Sequence, residues 1–94
     1  MDIDLGQIVK SKAGRDKGKN FIVVGIIDKD FITLSDGSLR RIDKPKKKRT
    51  KHVEPSEIVA ESISEKLKNG LKLTNSEIRN ILSSIDIEED RKII

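Results

Sequence analysis

The chain has 94 residues, of which 34% are hydrophobic, 38% charged and 2% aromatic, with no Cys, Trp or Tyr and a formal net charge of +4. That length implies one domain, or a small domain with an appendage, with a modest core, and the composition excludes disulfides and thiolate metal sites and argues against an aromatic-lined ligand pocket. No run approaches the roughly 20 apolar residues of a membrane span, and Met1-Asp2-Ile3-Asp4-Leu5-Gly6 has neither the basic nor the apolar region of a signal peptide, so a soluble cytoplasmic protein is expected.

Residues 6–11 open the chain as a strand, pairing Ile8 and Val9 with polar neighbours, and residues 13–19 form a loop, Ala13-Gly14-Arg15-Asp16-Lys17-Gly18-Lys19. Residues 20–27, rich in β-branched side chains, predict a second strand, and 31–34 a third after a tight turn at Asp28-Lys29-Asp30. Asp36-Gly37 suits a two-residue hairpin turn leading to a fourth strand at 39–42. Lys44-Pro45 interrupts that strand, and 49–53 is a candidate fifth. Four or five short strands in about 50 residues remove their edges by closing into a small barrel.

The period then changes. Ile58, Val59, Ile63 and Leu67 share a face of a helix starting near Pro55-Ser56-Glu57 and ending at Asn69-Gly70, a left-handed cap. Thr74-Asn75-Ser76-Glu77 is a capping box opening a second helix with an apolar stripe of Ile78, Ile81, Leu82 and Ile85. Residues 86–94 receive no assignment. The expected fold is mainly β, residues 1–54, with a C-terminal extension of two short helices, residues 55–94.

Charge divides the same way. Residues 1–54 carry 14 Lys/Arg against 8 Asp/Glu, a balance of +6, and residues 55–94 carry 6 against 8, a balance of −2. Arg40, Arg41, Lys44, Lys46, Lys47, Lys48, Arg49 and Lys51 fall within twelve positions with Asp43 as the single acid. Such a run binds nucleic acid, meets an acidic membrane or solvates a loop.

The glycine loop is not a nucleotide P-loop, which needs four residues between its glycines, then Lys and Ser or Thr at a helix start. Here three residues separate Gly14 from Gly18, and Asn20 and a strand follow Lys19. The loop is suited to present backbone N–H groups with Arg15, Lys17 and Lys19 on one surface, while Gly18 admits a phosphodiester chain closely. The plainer reading is a turn with positive φ at both glycines.

Residues 6–19, Gly6-Gln7-Ile8-Val9-Lys10-Ser11-Lys12-Ala13-Gly14-Arg15-Asp16-Lys17-Gly18-Lys19, continuing through Phe21-Ile22-Val23-Val24, resemble a KOW motif. Asp36-Gly37-Ser38-Leu39-Arg40-Arg41 and Lys44-Pro45-Lys46-Lys47-Lys48 extend the resemblance to the archaeal and eukaryotic large-subunit ribosomal KOW proteins and their small bacterial relatives, over roughly residues 5–53. The resemblance implies an SH3-like barrel whose Gly-Lys loop packs on RNA backbone. That role falls on Gly14, Lys17 and Gly18, flanked by Arg15 and Lys19. Many KOW motifs carry a further Gly where this chain has Asn20-Phe21, so its surface beyond Lys19 is bulkier.

Phe21 and Phe31 both lie in apolar strand patterns and are expected in the core, which leaves no ring for base stacking. Structured RNA, ribosomal RNA first, read through its backbone, is therefore the expected partner, with the ribosome or ribosomal proteins beside it. No membrane or small-molecule substrate is expected. His52 lacks Cys or clustered acids around it, and Asp28, Asp30 and Asp36 lack the remainder of a calcium loop, so no metal, cofactor or catalytic site is expected. The competing reading is a protein-interaction adaptor that docks a partner through the barrel or the helical pair.

Overall fold

The computed structural model describes the backbone of residues 3–93 and the side chains as far as Ile85. Five strands, β1 (Gln7–Ser11), β2 (Asn20–Ile26), β3 (Phe31–Ser35), β4 (Lys46–Arg49) and β5 (Val53–Val59), precede helices α1 (Glu61–Lys68) and α2 (Asn75–Ile93). The protein is thus mainly β with two C-terminal helices. Its strands form one antiparallel sheet in the order β4-β3-β2-β1-β5. The sheet is not closed, yet its two edge strands are consecutive in the chain, joined by a 3-10 turn of three residues, Thr50–His52. So short a link between opposite edges requires strong curvature.

Period-2 alternation distributes the apolar side chains of the strands over two clusters. Val9, Phe21, Val23, Ile32, Leu34 and Val53 fill the inner face. Ile8 and Ile22 point outward and pack with Ala60, Ile63, Leu73, Ile78, Leu82 and Ile85 from the helical half. Strands β1 and β2 are therefore buried on both faces, which is why β2 reads as a nearly unbroken apolar run from Phe21 to Ile26. The helices cover this half of the sheet and are part of the same fold. Ile78 is fully buried at that junction. Ile78→Ala should cost about 2–5 kcal/mol through lost burial and the cavity left behind, read as a lower urea midpoint with far-UV dichroism retained.

Several local signals act as expected. Asp28 Oδ1 accepts from the backbone N–H of Asp30 and Phe31 at 2.8 and 2.9 Å, fixing the β2–β3 turn. Thr74 and Glu77 exchange capping-box bonds: Thr74 Oγ1 accepts from the Glu77 N–H at 3.3 Å, and Glu77 Oε2 accepts from the Thr74 N–H at 2.8 Å. A bond from Lys66 and those from Thr74 lower the Glu77 pKa to about 2. Asn69-Gly70 ends α1, Gly70 at φ +67 and the Leu71 N–H bonded to the Lys66 carbonyl.

Other expectations are corrected. Residues 39–42 are not a strand: Asp36 Oδ1 accepts from the N–H of Ser38 and Arg40, and Ser35 Oγ donates to the Arg40 carbonyl, so side chains close residues 35–40 into a loop and remove them from the ladder. Only Gly37 of the Asp36-Gly37 pair has positive φ, so the two-residue turn is absent. The fourth strand is instead the cationic run Lys46–Arg49. The fifth runs Val53–Val59, so Ile58 and Val59 belong to β5 and the first helix begins at Glu61. A boundary at residues 54/55 falls inside β5, and α2, at 19 residues, is not short. The helical backbone of α2 covers the unassigned tail as far as Ile93; Ile94 lies outside the described residues. No helix among the described residues is long and apolar enough to cross a membrane.

Candidate nucleic-acid interface

The loop between β1 and β2 is closed by its own backbone. The N–H of Gly18 bonds the Ser11 carbonyl at 2.8 Å, that of Lys19 the Asp16 carbonyl at 3.0 Å and that of Lys17 the Gly14 carbonyl at 3.3 Å. These three N–H groups, that of Gly18 among them, are spent inside the loop, so its second half offers side-chain charge outward rather than backbone donors. Gly14 and Gly18 have φ of +85° and +87°, a region costly for residues bearing Cβ. Around Gly18 the space is open, leaving bare backbone between Lys17 and Lys19.

Asp16 turns inward from this loop and is 7% exposed. Its Oδ1 accepts from Ser11 Oγ at 2.7 Å and Lys48 Nζ at 3.1 Å, and its Oδ2 accepts from Lys46 Nζ at 2.9 Å. Lys48 Nζ also donates to the Ala13 carbonyl at 2.8 Å. Burial alone raises the Asp16 pKa, but the bonds from Lys46, Ser11 and Lys48 outweigh it and hold the carboxyl well below the usual carboxylate range. The two lysines on the inner side of β4 thus tie the glycine loop to the sheet and neutralise its single acid.

Alternation along β4 explains which cations are left over. Lys46 and Lys48 share the face of Ile32 and Leu34, their register partners being Leu34 and Ile32. Lys47 and Arg49 occupy the opposite face. Lys48, 8% exposed, is an internal strut whose ammonium is committed to Asp16 and the Ala13 carbonyl.

The exposed cations of two loops meet. Arg15, Lys19, Arg40 and Lys46 line one open groove, with Asp16 and Phe21 at its base and Asp36 and Leu39 beside them. Arg15, Lys19 and Arg40 make no ion pair among the described residues, whereas Lys46 is held by Asp16. Gly18 and Lys19 continue the surface into a second depression with Asn20, Asp36 and Leu82. Gly14 and Lys17 belong to the same loop outside the groove lining. Arg41 and Lys44 lie exposed on the loop of residues 36–45, Arg41 3.6 Å from Asp43 in a solvent-exposed pair of little energetic weight. Lys51 is exposed on the 3-10 turn.

Asp16 was not singled out by sequence reasoning. The available signal was a lone acid inside a cationic loop, and its partners lie 30 and 32 residues downstream. Phe31 was misplaced: it belongs to neither apolar cluster and is half-buried on the outer face of β3. No known protein-family model matches the chain.

Proposed function

We propose that this protein binds RNA, on an SH3-like barrel of the KOW type, by laying the phosphate backbone of structured RNA along the groove between the glycine loop and the loop of residues 36–45. The observation that carries the reading is the convergence of Arg15, Lys19 and Arg40, all exposed and without ion pairs among the described residues, around a floor whose acid, Asp16, is already neutralised by Lys46 and Lys48. Phosphate entering this groove meets a net positive lining, in which Asp16 is neutralised by lysines and the half-buried Asp36 is the remaining carboxylate. The short link between the two edge strands supports the barrel, because it draws β4 and β5 together at one end. Ribosomal RNA in the cytoplasm is the proposed target, and the proposal includes no catalytic step.

The adaptor reading loses its best surface, since the stripe of Ile78, Leu82 and Ile85 on α2 is buried against the sheet. Affinity for a structured ribosomal RNA fragment across a salt series tests the proposal. Four to six phosphate contacts predict a slope of log affinity against log salt of about −3 to −5. A slope near zero would refute it.

A further inference from the structure

The cations on the outer side of β4 do not belong to the groove. Phe31 pairs with Arg49, and Thr33 with Lys47, so the four side chains share the face of β3–β4 opposite Ile32 and Leu34. Lys47 Nζ stands 4.4 Å from the centroid of the Phe31 ring and the Arg49 guanidinium carbon 5.1 Å. Neither head is ion-paired among the described residues. The cluster that α1 and α2 bury on the outer face draws its strand residues from β1 and β2, leaving the β3–β4 half to this trio.

Two like charges gathered at one ring repel each other, and an anion set between them relieves that repulsion. A half-buried aromatic beside them offers a flat apolar surface as well. Inorganic phosphate or an acidic side chain would engage only the cations that now stand over the ring; a nucleotide with an unpaired base draws them to its phosphate and stacks on the ring face they leave, and a duplex, whose bases are stacked internally, does not.

We propose that the outer face of β3–β4 is a second RNA contact, specific for single strands, where one base stacks on Phe31 and an adjoining phosphate sits between Lys47 and Arg49. The inference rests on the RNA-binding reading and divides the protein's cations between a groove for structured backbone and a face for an unpaired segment next to it.

The chain has no Trp or Tyr, so Phe31→Trp places a single indole at the site. Titration of this variant with a short oligoadenylate should quench indole emission, whereas inorganic polyphosphate, which has charge and no bases, should not. In the otherwise native chain, Phe31→Leu should weaken oligoadenylate binding by about 5- to 150-fold, the range for loss of one stacked base, while binding of a blunt RNA duplex stays unchanged. The paired variant Lys47→Gln/Arg49→Gln should weaken the oligoadenylate too, which covers the case in which Phe31→Leu does not fold. Duplex binding without oligoadenylate quenching would overturn the single-strand site and leave the groove standing. Equal quenching by polyphosphate would overturn stacking in favour of a bare anion site. Failure to bind any RNA would overturn both readings.

Discussion

Asp16→Asn should lower the stability of the fold by about 3–5 kcal/mol, the cost of removing one partner from a buried ion pair. The amide keeps the shape of the carboxylate but loses its charge and turns one of the two oxygens that accept from Lys46, Lys48 and Ser11 into a donor. Lys48, 8% exposed in side chain, would remain buried against the Ala13 carbonyl and a neutral group, while Lys46, at 25%, can turn to water. For a small domain with a total of about 5–15 kcal/mol, this brings the protein close to unfolding at physiological temperature. Adding Lys48→Met removes the stranded charge, so the double variant should be less destabilised than the sum of the two single changes, a coupling measured by a double-mutant cycle in urea. The same pair sets the acid limit. The folded-state pKa of Asp16 lies below its unfolded value near 3.9, so its contribution is complete above that value and fades as pH falls through the folded pKa. Wild-type protein should lose stability as pH falls below about 4, and Asp16→Asn should show a shallower loss there.

The second large effect concerns affinity. Arg15→Glu/Lys19→Glu/Arg40→Glu should reduce binding to structured RNA by about 100-fold or more near 0.1 M salt and flatten the salt slope by about 2–3, because each lost phosphate contact contributes roughly 0.7–0.9. All three side chains are exposed, so the melting temperature should change little. Lys48→Met should do the reverse, losing stability while the salt slope stays as it was. A triple variant that binds like wild type would remove the groove from the account. Equal effects of Lys48→Met and the triple variant on the slope would show that charge in general, not the groove, holds the RNA.

What the sequence made legible was whatever its local chemistry decides. Strands β1 to β3, the Asp28 turn, the Asn69-Gly70 cap and the Thr74–Glu77 box each depend on neighbours within a few residues, and each forms as read. Strand β4 was not legible because Lys46, Lys47, Lys48 and Arg49 have little intrinsic reason to extend. They do so in this fold with alternate side chains finding Asp16 on one side and the Phe31 ring on the other, partners 16 to 32 residues away in sequence. Residues 39–42 failed in the opposite sense: their composition suits a strand, but Ser35 and Asp36 capture the Arg40 backbone first. Ile58 and Val59 fit a helical stripe with Ile63 and Leu67 on spacing alone, yet β1 needed a partner on its second edge, and residues 53–59 supply it. At the interface, Arg15, Lys19 and Arg40 were visible as exposed cations near turns. The division of the lysine run into a strut, a tie and an outward pair was not, since it follows from the two faces of a strand that the sequence did not announce.

The most direct test of the central claim is ultraviolet crosslinking of the protein to RNA in living cells, with both the crosslinked peptides and the recovered RNA identified. Crosslinks are expected at the Arg15–Lys19 loop and around Leu39–Arg41, on one structured region of ribosomal RNA. Recovery no better than a charge-matched control protein, or crosslinks that avoid both loops, would contradict it.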